Sequence, residues 1–303
     1  MNRRFLDTYV RLVKSVLPSP LSIALLLTAV TILLVVITGE TGNEGAGAIF
    51  QWWAEGLWNP GLMVFALQMM LMLVLGHVLA ISPWIARMID VAVRPCTTSA
   101  RSAAIVAFFT MLVGLFNWGL GLIFGAIMAR KVGEKAHRED RPINYPLIGA
   151  AGYTALMIWH GGFSGSSLIK IAEEGHLSTL MGSDFGAVLP SAISLGETAF
   201  SGMNITVSIG LLVFIPGVLY LMGSRTEGAV PALAPHSFPE ESTDGWIGAE
   251  RLDRSSFFSK GIGGAILLYV FYQMFWEVGF LNFFNPNNIN LLLLGLCLVT
   301  HNN

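Results

Sequence analysis

Residues 103–129 form an uncharged apolar run, AAIVAFFTMLVGLFNWGLGLIFGAIMA, with Asn117-Trp118-Gly119-Leu120-Gly121 at its middle and Arg- and Lys-rich loops at both ends. Basic loops stay on the cytoplasmic side of a bilayer. With both flanks on one face the run cannot cross once, and two full crossings need about 40 residues. The sequence therefore predicts a re-entrant hairpin, because backbone that leaves the helix at membrane depth must be buried in protein or line a cavity. The competing reading is one tilted span, which would place one basic flank outside.

The rest of the chain is also built for lipid: it is 54% hydrophobic and 12% charged, with a mean hydropathy of +0.65. No soluble core of this size needs so much apolar sequence. Nothing in the charge pattern calls for a nucleic-acid partner. Cys96, in a loop, and Cys297, in an apolar segment, fit neither a disulfide framework nor a metal cluster and read as free thiols. The first apolar stretch, Leu21 to Thr38, is too long for a signal-peptide core and reads as a retained span.

Spans and loops follow in order. Residues 1–20 read as an amphipathic helix on the membrane surface, with Phe5, Leu6, Tyr9, Val10 and Val13 set against Arg3, Arg4, Arg11 and Lys14, and with Pro18 and Pro20 ending it. Residues 21–222 read as a first transmembrane repeat containing the hairpin 103–129, with further spans near Gly61 to Ile81, Tyr145 to His160 and Met203 to Met222. Residues 223–260, rich in charge and proline, read as a cytoplasmic linker. Residues 261–303 read as the start of a second repeat, whose last apolar segment stops short of a span, so a second hairpin and further spans are expected beyond it. Of the 17 Lys and Arg residues only Lys170 falls in a loop assigned to the outside, which puts the N-terminus in the cytoplasm. The expected fold is thus all-α: a polytopic membrane protein with a re-entrant helical hairpin and a broken helix.

Two motifs carry candidate chemistry. At the hairpin tip Asn117 offers donors and an acceptor, Trp118 one donor on an apolar body, and Gly119 and Gly121 a backbone that can be approached closely. A half-helix starting there would aim its free amides at a small carboxylate. The alternative is helix packing, with Asn117 bonded to a neighbouring helix. The second motif, His160-Gly161-Gly162-Phe163-Ser164-Gly165-Ser166-Ser167, should unwind an otherwise apolar helix. His160, Gly161, Gly162, Ser164, Ser166 and Ser167 then join the tip residues as substrate-binding candidates, and oxygens near Asn117 and Ser164 could hold Na⁺. A plain outer loop is the alternative. His160 is also a candidate protonatable group. Apolar walls would come from Phe116, Trp118, Trp159 and Phe163.

The segments FLDTYVRLVKSVLPSPL, FNWGLGLIFGAIMARKVG, YPLIGAAGY and WHGGFSGSS together resemble the bacterial short-chain fatty acid uptake transporters, over essentially the whole chain. That resemblance implies uptake of acetoacetate- or butyrate-type monocarboxylates across the inner membrane by a multi-pass protein that is not an enzyme, and leaves room for a homo-oligomer. Moving one negative charge into a negative interior is opposed by about 2.3 kcal/mol per 100 mV. A co-transported cation, H⁺ or Na⁺, removes that penalty, and no organic cofactor is implied. A rival from another class is a rhomboid-like intramembrane serine protease, because Gly162-Phe163-Ser164-Gly165 fits its GxSG pattern. That chemistry needs a histidine from a separate span, and none is placed to serve. A passive anion channel is the third reading, distinguished by flux without ion coupling.

Overall fold

The computed structural model describes residues 11–12, 18–39, 46–182, 188–226, 228–233 and 256–300. Most of the surface helix expected over 1–20 and most of the 223–260 linker lie outside these residues. The chain divides into two units, Met1–Ala66 and Leu67–Asn303, each taken by itself.

In the first unit α1 (Pro20–Thr38) starts at Ser19, whose side chain accepts the Ser22 amide, and ends at Gly39 in the left-handed conformation. None of its residues is buried. Thr28 and Thr31 donate their hydroxyls to Ala24 and Leu27 one turn back, so the polar groups of an otherwise aliphatic helix are satisfied within it. Helix α2 (Ala46–Leu57) follows, and α3 (Pro60–Ala80) begins behind Asn59, whose side chain accepts the Leu62 amide.

The second unit takes in the rest of α3, then α4 (Pro83–Val93), α5 (Ser99–Phe116) and α6 (Trp118–Arg138). Helices α5 and α6 fold back on one another about Asn117. A Cβ at Gly121 would stand 2.8 Å from the Gly114 Cα, and one at Gly125 would stand 2.8 Å from the Thr110 side chain, so the arms touch through backbone. Ala155 wedges against both Gly114 and Gly121. Only glycine permits that approach. Ile89, Ala103, Val106, Ala107, Met111, Phe124, Met128 and Ile148 fill the core around the hairpin.

Beyond the hairpin the structure departs from the expected span of Tyr145 to His160. Helix α7 covers only Tyr145–Ala151, and the chain continues as 3-10 turns at Thr154–Met157 and Trp159–Gly161 before the short α8 (Ser166–Lys170). The break begins at Gly152, which lies against Gly125 so tightly that a side chain on either would meet the other's carbonyl. Helix α9 (His176–Met181) leads to α10 (Gly202–Ser224), which is capped by Ser201 and packs along α5, with Gly223 against Ala100.

Helix α11 (Ser256–Tyr272) widens into a π turn at Gln273–Glu277 and is followed by the short α12 (Phe280–Phe283). Helix α13 (Pro286–Thr300) runs antiparallel to α11, with Gly263 against Leu298 and Gly295 against Leu267. It runs parallel to α3: Asn290 Nδ2 donates to the Gln68 carbonyl at 3.0 Å, and the Cys297 thiol to the Leu75 carbonyl at 3.2 Å.

Among the described residues four helices are long and apolar enough to cross a membrane: α1, α3, α5 and α10. No strand occurs among the described residues beyond one isolated bridge between Ile143 and Ala229.

Candidate functional site

Asn117 is the hinge of the hairpin. Its backbone is extended (φ −152°, ψ 124°), its amide closes α5 on Val113, and its Oδ1 accepts the Leu120 amide at 2.7 Å to cap α6. A capping asparagine satisfies one of the amides that a helix start leaves without an intrahelical partner.

The second motif supplies the next partners. Ser164 Oγ accepts the Trp118 amide at 2.8 Å. In the opposite sense, the Phe163 amide donates to the Leu115 carbonyl at 2.7 Å. The last turn of α5 and the first turn of α6 thus both bond to the stretch that breaks the following segment. Gly162 makes the approach feasible, since a side chain there would collide with the Leu115 carbonyl. Asn204 of α10 holds the same stretch from behind, its Nδ2 donating to the carbonyls of Gly161 at 2.8 Å and Ala199 at 2.6 Å.

The tip is dry, with Asn117 at 0% and Ser164 at 3% exposure. From the other side α3 closes on it: a Cβ at Gly119 would stand 3.1 Å from the Leu73 Cα, and one at Gly76 would stand 2.8 Å from the Leu120 amide. Two buried donors at this place have no acceptor, Asn117 Nδ2 and Trp118 Nε1. A buried donor without a partner costs about 1–3 kcal/mol. Adjacent residues carry both, at the N-terminus of a helix whose dipole puts roughly half a positive charge there. Both unpartnered groups are donors beside a positive helix end, an electrostatic setting that suits an anion.

The sequence candidates fall into three groups. Asn117, Trp118, Gly119, Gly162 and Ser164 meet at the tip. Gly121 lies a turn deeper against Gly114 and Ala155, and Gly161 lines an apolar cavity of about 220 Å³ with Phe163, Phe200, Asn204 and Ser208. His160 is exposed, its ring 3.9 Å from that of Trp159 between centroids, and Ser167, the second residue of α8, is exposed. The Ser166 side chain lies outside the described atoms. Of the aromatic walls, Trp118 and Trp159 approach to 5.9 Å, and Phe163 stacks on Phe284 at 4.2 Å. For a protease, Ser164 is poorly placed, since Trp118 occupies its oxygen and no described histidine bonds to it.

Three contributors were not singled out from the sequence: Leu73 and Gly76 on α3, and Asn204. Asn204 had a weak signal, three residues after the capping Ser201. Leu73 and Gly76 had none.

This fold is that of an all-α polytopic membrane protein with buried polar groups gathered where a helical hairpin meets a broken helix. The chain belongs to the short chain fatty acid transporter family, whose model matches residues 1–303. It is 32% identical, over 98% of its length, to a Haemophilus influenzae protein described as "Putative short-chain fatty acid transporter". A protein of the same description from Escherichia coli strain K12 is 31% identical over 95% of the chain. The chain spans 64% and 62% of the length of these two relatives. No solved structure matches it.

Proposed function

We propose that this chain forms the greater part of a secondary transporter that takes up short-chain monocarboxylates of the acetoacetate or butyrate type, with a cation, across a bacterial inner membrane. The observation that carries this reading is the pair of buried donors without acceptors, Asn117 Nδ2 and Trp118 Nε1. A carboxylate supplies acceptor oxygens of the kind these donors lack. The unpartnered groups at the tip are both donors, which favours the anion over Na⁺ there. Phe116, Trp118, Trp159 and Phe163 supply apolar surface for a short acyl chain.

The hairpin is re-entrant in this reading. Helix α5 is long enough to cross if Arg101 is drawn into the lipid, but the charge-free arms, residues 102–116 and 118–129, reach roughly 22 and 18 Å at 1.5 Å per residue, short of a hydrocarbon core about 30 Å thick. The tip then lies within the membrane, with Arg101 and Lys131 both in the cytoplasm and the N-terminus on the same side. Neutralising the carboxylate's charge with a co-transported cation removes the electrical cost of entry.

The test is uptake of labelled butyrate into proteoliposomes of the full-length protein under imposed Na⁺ or H⁺ gradients. Accumulation that follows one of the gradients is the expected result. Equilibration that neither gradient changes would make the protein a channel instead.

A further inference from the structure

A second polar cluster lies away from the hairpin tip, where α3 meets α13, and its chemistry is the inverse. Gln68 and Asn290 are 6% and 8% exposed, and both side-chain oxygens, Gln68 Oε1 and Asn290 Oδ1, are buried without a donor. Their nitrogens are engaged. Gln68 Nε2 donates to Asn287 Oδ1 at 2.8 Å, and Asn290 Nδ2 donates to the Gln68 carbonyl at 3.0 Å. The second bond fixes the Asn290 amide, which cannot turn its oxygen to the Gln68 carbonyl without losing it, and the first orients Gln68 against Asn287. Asn287 sits one turn before Asn290 on α13 and is exposed, and its Oδ1 keeps a lone pair beyond the one used by Gln68.

We infer that Gln68, Asn287 and Asn290 form a site for a monovalent cation, Na⁺, between α3 and α13. Neutral amide oxygens are ligands for a hard cation, and a set with no carboxylate suits one positive charge better than two. The buried pair would hold the ion while the exposed Asn287 completes the set from the open side. Further oxygens would come from water or from backbone carbonyls. The inference rests on the symport reading only for what the site is used for, since cation binding stands or falls by itself.

The experiment uses the full-length protein purified in detergent and follows its thermal midpoint as NaCl replaces KCl at constant ionic strength. The expected result is a saturable rise in midpoint with Na⁺ that Asn290→Val and Gln68→Met abolish. Asn287→Asp, at the exposed member whose oxygen accepts from Gln68, keeps that acceptor and adds a charge, so it should lower the half-saturating Na⁺ concentration about tenfold and guards against variants that fail to fold. No Na⁺-specific rise in the wild-type protein would overturn the site. So would a rise that survives both apolar substitutions, and so would destabilisation by Asn290→Val in a protein that never responded to Na⁺, which would give the oxygens a donor from elsewhere in the chain. Butyrate uptake in the same variants separates the two readings. Na⁺-driven uptake that persists unchanged in Asn290→Val takes this site out of the coupling but leaves symport intact. Na⁺ binding without Na⁺-driven uptake keeps the site and removes Na⁺ as the coupling ion.

Discussion

The Ser164 hydroxyl accepts the backbone amide of Trp118 across 46 residues of sequence, at 2.8 Å and out of reach of water. That bond joins the two motifs that the sequence marks most strongly, the Asn-Trp-Gly turn and the Gly-Ser-rich break.

Ser164→Ala removes the acceptor and leaves a buried amide unsatisfied, for which about 1–3 kcal/mol of stability is expected to be lost. Ser164→Thr keeps the hydroxyl and should recover most of it where the added methyl fits. Thermal midpoints of the three proteins in one detergent decide the matter, and an alanine variant as stable as the wild type would mean that Trp118 finds another partner.

Asn117→Asp separates the two duties of one side chain. A carboxylate oxygen can still cap α6 by accepting the Leu120 amide, so helix content should hold. The Nδ2 donor is gone, and a negative charge faces the proposed carboxylate. Losing one hydrogen bond to a charged ligand corresponds to about 1.5–3 kcal/mol, or roughly 10- to 150-fold in apparent affinity for butyrate. An unchanged KM in proteoliposome uptake would take Asn117 out of the binding site.

Single cysteines placed at Arg101 and Lys131 should react with a membrane-impermeant thiol reagent from the same side. Labelling of the two from opposite sides would mean a single crossing and would remove the basis for a buried tip.

Cys96, in the loop between α4 and α5, is buried, and burial pushes its thiol from the ordinary 9.0 up to about 11, with Lys135 and Ser102 pulling weakly the other way. The folded state thus favours the protonated thiol. Its contribution to stability is whole below about pH 9 and is lost as pH rises from 9 towards 11. In a background without other cysteines, alkylation should be slow at neutral pH and still climbing at pH 10. A rate that levels off by pH 9 would show an unburied thiol.

Much of this was legible in the sequence for identifiable reasons. Asn117 stands out because it interrupts a long apolar run between basic flanks, and asparagine is among the residues preferred at a helix N-cap. The helix break after Tyr145 was placed too late, near His160, because its true start at Gly152 depends on contact with Gly125 on another helix, which no local pattern reports. His160 drew attention as an ionisable residue in an apolar setting, yet its ring lies outside, on Trp159. Gln68 and Asn290 are 222 positions apart, and only the parallel packing of α3 and α13 brings them into one bond.

The paired exchange between Leu115 and Phe163, and between Trp118 and Ser164, has a mechanical consequence. Pulling the turn away from the broken stretch would strand a carbonyl and an amide in a place with no solvent to receive them, at about 1–3 kcal/mol each. A rearrangement that carries both pieces together as one body avoids that cost, which favours sliding surfaces elsewhere.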